Sequence, residues 1–502
     1  MTFESISKLN YLRMICAPRV LSGAAWGVAM ACALPMLAVA LAAVTSGTDT
    51  IVHLASTVLG RYSINTVFLI LLVSVGTFAV GVGAAWLVTM THFKGVKFFE
   101  ITLVLPLAFP AYVLAYAYTS VLDHPGIVQS TLRNVMDWGP RDYWFPEIRS
   151  LGGAALMLVL VLYPYVYLLA RASFIQQSGS AFMTARGLGA SPLAAFLTVS
   201  LPLARPAIAA GVLLAVMETI ADFGTVAYFG VQTFATGIYT SWFSMGDRAG
   251  AAQLAVCLLM FAFMLAVLER IQRGRAKYYD QSRSQKHHAP LPLKGLRAVF
   301  AMVLCAIPVL LGVIIPIFSL IVLGLDSDQD LLSSRYLGFA RNSLVLASTA
   351  ALITVFAAIG LGFFQRMQPG RSSTMATYIA RLGYAVPGGV IAVGLMVPFA
   401  AFDNAIDAWM RTTFNISTGL MLTGSIWLLV LAYMVRFLAA ALGAYEGGQS
   451  LVHVHMDAAS RSLGKGPFAT LRKVHLPILT PSLLTALLIV FVDVMKELPA
   501  TL

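Results

Sequence analysis

Apolar positions in this chain come in runs of about 20 residues separated by short polar stretches, the length needed to cross a bilayer as α-helix. Eleven such runs are predicted as spans, at 21–44, 64–90, 101–121, 151–174, 207–229, 250–268, 298–324, 343–364, 377–401, 418–441 and 481–502. Lys8, Arg13 and Arg19 precede the first run. That run is too long for the apolar stretch of a cleaved leader and reads as a retained signal anchor.

Composition removes the soluble alternatives. Of 502 residues, 59% are hydrophobic and 11% charged, too few charges to cover a water-soluble fold of this size. The net charge of +12 reports orientation rather than a polyanion partner. With the N-terminus cytosolic, inner segments hold 24 Lys and Arg and outer segments 8, with Lys496 left in the last span. That imbalance follows the positive-inside rule. Outer segments carry more acid than base, as in Asp326, Asp328 and Asp330. The longest inner loop, 269–297, has eight Lys and Arg and no hydrophobic periodicity, and reads as a solvated linker; a lipid-headgroup site is the alternative. Cys16, Cys32, Cys257 and Cys305 show no CxxC spacing and read as small buried hydrophobes.

The chain repeats itself. Arg186, Leu188, Gly189, Pro192, Ala194, Val199, Leu201, Pro202, Pro206 and Leu213 recur 275 residues on as Arg461, Leu463, Gly464, Pro467, Ala469, Val474, Leu476, Pro477, Pro481 and Leu488. Upstream, Asn65-Thr66 matches Asn342-Ser343 and Pro110 matches Pro387, both at 277. The copies are an even number of crossings apart, so the two halves run parallel. In the first copy Ser180 is expected to cap a short helix that stops at Gly189 in a left-handed conformation. A second helix then starts with Ser191 as N-cap and Pro192 at its first position, and Pro202 restricts it at Leu201. Gly464, Gly466-Pro467 and Leu476-Pro477 repeat the pattern. Each half thus presents a helix, a glycine elbow and a helix, with an apolar edge expected at Phe196 and Val199 and at Phe468 and Val474, suited to a groove on a partner.

These residues resemble the cytosolic EAA loop of ABC importer permeases, a Gly followed ten residues on by Ile or Val, any residue, Leu and Pro. Gly189, Val199, Leu201, Pro202 and Gly464, Val474, Leu476, Pro477 fit it twice. The name-giving triplet falls on Met183-Thr184-Ala185 and Ala458-Ala459-Ser460, with Asp457 one residue early. Two fused halves of this kind are similar to the fused permease of iron(III) importers, as are the stretches 218–225, 228–230 and 496–501. The resemblance implies an all-α polytopic fold of the type I ABC importer kind in two parallel halves. Residues 1–275 form the first half with a coupling loop at about 178–206, residues 276–297 a basic cytosolic linker, and residues 298–502 the second half with a coupling loop at about 446–480. It further implies two copies of a cytosolic ABC ATPase docked on these loops, with Arg186 and Arg461 among their residues. A periplasmic binding protein would deliver cargo to a multi-pass bacterial inner-membrane protein. There is no GxxxxGK[ST] phosphate cradle, so ATP and Mg belong on the partner and the chain is expected to bind no cofactor and to be no enzyme.

Glu218 and Asp222 lie four apart on span 5, hence on one helical face, and the repeat places Asp493 and Glu497 at the same positions of span 11. Intramembrane acids are costly, and hard carboxylate oxygens suit ferric iron, so the four form a candidate translocation path; scaffold contacts at the outer helix ends are the alternative. Tyr163, Tyr165, Tyr167 and Tyr433 read as packing residues. His453 and His455 lack a third ligand and share no helix face, so no metal site is expected. Two further functions stay open: a proton-coupled carrier with two six-helix halves, and an importer of thiamine or a phosphonate. The first half continues past Ala227, the repeat partner of Leu502, so a complete second half is expected to reach about residue 545 with a twelfth span.

Overall fold

The computed structural model describes residues 3–498, except 48, 141, 178, 274–290, 328–332, 384–385 and 450–451, and the side chains of 3–19 are likewise not described. Most of the basic linker, with Asp328, Asp330 and residues 499–502, therefore lies outside the described residues, as do the side chains of Lys8, Arg13, Arg19 and Ser180.

The chain is a polytopic all-α protein. Its helices in order are α1 (Phe3–Thr45), α2 (Asp49–Thr57), α3 (Leu59–Met90), α4 (Val96–Thr102), α5 (Ala111–Leu122), α6 (Ile127–Met136), α7 (Leu151–Gln176), α8 (Gly179–Gly187), α9 (Pro192–Ala195), α10 (Leu201–Ala221) and α11 (Gly224–Tyr228). They continue with α12 (Phe234–Tyr239), α13 (Arg248–Arg273), α14 (Leu296–Val309), α15 (Ile315–Leu325), α16 (Ser334–Met367), α17 (Arg371–Leu382), α18 (Gly388–Phe414), α19 (Ile426–Gln449), α20 (Val454–Ser462), α21 (Pro467–Thr470) and α22 (Leu476–Met495). Ten stretches among the described residues are long and apolar enough to cross a membrane, or eleven if a pair bent by 94° within 96–136 is one span.

The sequence repeat is a structural repeat. The helix α16 follows α3 at 277 residues, while α20, α21 and the start of α22 follow α8, α9 and α10 at 275. Pro110 and Pro387 are the N-caps of α5 and α18, where the missing N–H and fixed φ of proline cost nothing. The copies then diverge. The helix α18 runs on unbroken for 27 residues, whereas the first half breaks at 123–126 between α5 and α6.

Several expected boundaries need correction. Spans 3 and 9, expected at 101–121 and 377–401, are broken ahead of Pro110 and Pro387. Pro202 and Pro477 do not stop the short helices before them. Five-residue π-helical turns, Phe196–Ser200 and Leu471–His475, carry each chain into the following helix, so Pro192–Ala221 and Pro467–Met495 are continuous spans. Proline cannot donate to the residue four back, and the widened turn lets the N–H of Leu201 reach Phe196 and that of Leu476 reach Leu471. Span 5, expected to reach residue 229, ends at Ala221 instead; Asp222 is extended at φ −68°, ψ 124°, and a separate short helix follows.

The chain packs as two compact units that interleave the halves. One comprises 1–51, 245–259 and 330–502, the other 52–244 and 260–329. In the second, α7 is the buried centre, with Tyr163, Val166 and Tyr167 fully enclosed. A Cβ on Gly81 of α3 would lie 2.7 Å from Val166 Cβ, and one on Gly211 of α10 would lie 2.7 Å from Val166 Cα. Glycine on both neighbours therefore lets three backbones close on one another, the small-residue packing that replaces the hydrophobic effect in lipid. In the first unit, α1 packs along α16, α17 and α18. A Cβ on Gly394 would collide with the carbonyl of Pro35, and Trp26 Nε1 donates to Ser372 Oγ at 3.0 Å.

Candidate coupling elbows and membrane acids

Each elbow is built by backbone hydrogen bonds around one left-handed glycine. Gly189 has φ +91° and Gly464 φ +68°. Around the first, the N–H groups of Gly189 and Ala190 donate to Arg186 O and Ala185 O, both at 3.1 Å. Around the second, those of Gly464 and Lys465 donate to Arg461 O at 2.9 Å and Ser460 O at 3.1 Å. The bond from the residue after the glycine closes the helix end in the Schellman manner and leaves few carbonyls unsatisfied. Nothing lies within 4 Å of a Cβ on either glycine, so backbone handedness alone demands glycine there. Arg186 Nη1 donates to Ala190 O at 2.7 Å and ties its own elbow, and Ser191 Oγ caps α9 by accepting from the N–H of Ala194 at 3.1 Å. In the second copy Ser460 Oγ and Thr470 Oγ1 meet at 2.8 Å, binding the two arms directly.

The apolar edge lies elsewhere than expected. Phe196 turns inward against Trp86 and Phe174, with ring centroids at 5.0 and 5.9 Å, and Val199 and Val474 are half-buried. The residues that project are Leu188 and Leu193 on the first elbow, 84% and 57% exposed, and their repeat partners Leu463 and Phe468 on the second, 76% and 55% exposed. Among the expected edge residues only Phe468 belongs to this set. The matched Leu188 and Leu463 just before each glycine could have marked it in the sequence.

Beneath the second elbow is a buried polar cluster that sequence reasoning did not assemble. Asp457 accepts from Arg366 Nε at 2.7 Å and pairs with His475 Nε2 at 2.6 Å; Arg366 also donates to the carbonyl of Val452 at 2.8 Å. Burial pushes the Asp457 carboxyl up, but the hydrogen bonds from His475 and Arg366 and the Arg366 charge outweigh it and hold the group below the usual carboxylate range. The acid one residue early thus faces into the protein. The repeat positions in the first half are Thr89, Phe182 and Ser200, which have no charge. His453 is the N-cap of α20, its ring accepting from the N–H of His455 at 3.4 Å, and no metal-holding group of three occurs among the described residues.

The four acids do not form the matched helical pairs expected. Both α10 and α22 end before the second acid of each pair, so Asp222 and Glu497 do not share a helix face with Glu218 and Asp493. Asp222 caps the next short helix, accepting from the N–H of Thr225 at 3.0 Å, that of Val226 at 3.2 Å and Thr225 Oγ1 at 2.9 Å. Glu497 pairs with Arg436 Nε at 3.2 Å, both side chains 7% exposed, and Asp493 pairs with Lys496 at 2.8 Å. Tyr163 and Tyr167 donate to the carbonyls of Leu103 and Glu100, at 2.8 and 3.2 Å.

Comparison with known proteins bears on this geometry. Over 449 residues, 87% of its length, the chain is 26% identical to Fe(3+)-transport system permease protein FbpB 2 of Haemophilus influenzae, of which it covers 80%. The chain resembles iron(III)-transport permeases. The permease likeness extends to Ferric transport system permease protein FbpB of Actinobacillus pleuropneumoniae, 22% identical over 87% of the chain, although the chain spans only 63% of that relative. Molybdenum transport system permease protein ModB of Escherichia coli is 28% identical, with 87% of its length matched on 39% of this chain, the share one half of the repeat would supply. No protein-family model matches the chain.

Proposed function

We propose that this chain is the transmembrane permease subunit of an ATP-driven importer of ferric iron, with its N-terminus on the cytosolic face of a bacterial inner membrane. The paired elbow carries the reading: two left-handed glycines 275 residues apart, each flanked by exposed apolar side chains at the same two repeat positions. Two copies of a separate cytosolic ATPase each receive one elbow, with Leu188 and Leu193, or Leu463 and Phe468, as the inserted side chains. ATP and Mg stay on that partner, and this chain catalyses no covalent step. A periplasmic binding protein delivers the cargo. The iron assignment rests on the FbpB relatives and on the hard oxygen donors near the ends of α10 and α22. Of the four acids, Asp222 and Glu497 are anchors of structure, and Glu218 and its repeat partner Asp493 serve the path.

Forcing a β-branched side chain into a left-handed position costs about 1–2 kcal/mol, enough to shift the elbow about tenfold away from its shape. Gly189→Val and Gly464→Val are expected to cut radiolabelled iron uptake into vesicles about tenfold while membrane abundance stays normal and ATP hydrolysis by the bound ATPase persists. Full, normally coupled uptake in both variants would remove the assignment. Glu218→Gln is expected to lower iron uptake while binding-protein-stimulated ATP hydrolysis is kept; uptake equal to the parent's would take Glu218 off the path.

A further inference from the structure

We propose that the crevice between the end of α3 and the start of α14 is a binding site for an anionic bilayer phospholipid. The crevice holds about 490 Å³ and is open to the surface. Its walls are apolar: Leu87 on α3 faces Leu296, Phe300 and Leu304, which recur every four residues along one face of α14. Gly83 widens it, since nothing lies within 4 Å of a Cβ there. Leu296 and Phe300 are 87% and 65% exposed, an apolar trough that water would disfavour and an acyl chain would fill.

A cation borders the trough: Arg297, also in the lining, is exposed. The mouth is also basic. Thr91 and His92 pair in parallel with Leu291 and Pro292, and the N–H of Leu293 donates to His92 O at 2.9 Å. This short ladder brings the exposed Lys94 and Lys294 to neighbouring turns beside Arg297. Both strands flank helix ends that the Lys and Arg distribution assigns to the cytosolic surface, where basic pockets between spans take anionic headgroups. A phosphate on Arg297 and the two lysines and an acyl chain along Leu296, Phe300 and Leu304 would satisfy these features. The lipid would then hold α14 against α3.

The test is native mass spectrometry of the full chain in detergent with equimolar phosphatidylglycerol and phosphatidylcholine of the same acyl chains. The expected result is a phosphatidylglycerol preference of about fivefold for each basic side chain engaged. Arg297→Gln should reduce the preference, and Gly83→Phe, which fills the crevice, should lower retention of both lipids. Leu304→Trp fills it from the other wall if Gly83→Phe does not elute as a folded protein. Equal retention of the two lipids by the parent overturns the proposal. So does unchanged retention in the filled variants, even with a response to Arg297→Gln, because the lipid would then sit elsewhere on the basic surface. None of these outcomes depends on transport, so they separate this site from the iron reading.

Discussion

Asp457 shows how one carboxylate can organise a loop from below. It is almost fully buried, and Arg366 and His475 approach it from α16 and from the π-helical turn ahead of α22. Removing one member of such a group leaves the others charged or polar without a partner, which costs about 3–5 kcal/mol. Asp457→Ala is therefore expected to lower the thermal midpoint of the detergent-purified protein sharply. Replacing Asp457 and Arg366 together by Leu and Met should recover part of the loss, since an apolar pair needs no counter-charge. The pH dependence follows from the lowered carboxyl. Asp457 ionises more readily folded than unfolded, so its contribution is fully present above the ordinary carboxylate value near 4 and is lost as pH falls through its lower folded value. Flat stability from pH 7 to about 5 with a fall below 4 that is smaller in Asp457→Ala would confirm it. A midpoint unmoved by the substitution would show that Asp457 does not anchor the second elbow.

At the scale of elements, most of the architecture was legible because lipid imposes it. Apolar runs long enough to span must be helical, since no other local structure satisfies the backbone there. The repeat carried more, down to left-handed glycines at 189 and 464, and it paired Pro110 with Pro387, which read as lying inside spans but instead start helices. What escaped was set by hydrogen bonding between residues distant in sequence or by local accommodation. Proline read as a stop at 202 and 477, but a π-helical turn absorbs the missing N–H and the helix continues. Glu218 and Asp222 read as one face because four-residue spacing assumes an unbroken helix, and the helix ends between them. The loop after α18 is another case. Asp403 accepts from the N–H groups of Leu422 and Thr423, and Asp407 from those of Thr418 and Gly419, so two carboxylates one turn apart hold a loop whose residues read as the start of the span at 418–441. Buried acids that fold back on their own chain look in sequence like acids waiting for a ligand. The same ambiguity hid the partners of Asp457, which lie 91 and 18 residues away.

Over the whole molecule, folding units and sequence repeats divide the chain differently. Residues 1–51 pack in one unit with 330–502, and residues 260–329 in the other with 52–244. In the second of these, Tyr118 donates to Leu311 O at 2.7 Å, and Ser120 meets Ser319 at 3.0 Å. A Cβ on Gly312 would stand 2.9 Å from Pro106, which fixes how closely α4 to α5 and α14 to α15 approach. Each unit thus needs segments from both sides of the basic linker, and the covalent link contributes chiefly a loop-closure term that grows slowly with length. Cutting the chain within 274–290 is then expected to leave two fragments that assemble when expressed together and co-purify in mild detergent through a tag on either one. Two variants probe the α1 contact specifically. Deleting residues 1–51, or replacing Gly394 by Leu so that a side chain meets the Pro35 carbonyl, should weaken co-purification while both fragments still insert. Fragments that reach the membrane yet separate without either change would show that the linker, rather than exchanged helices, holds the halves together.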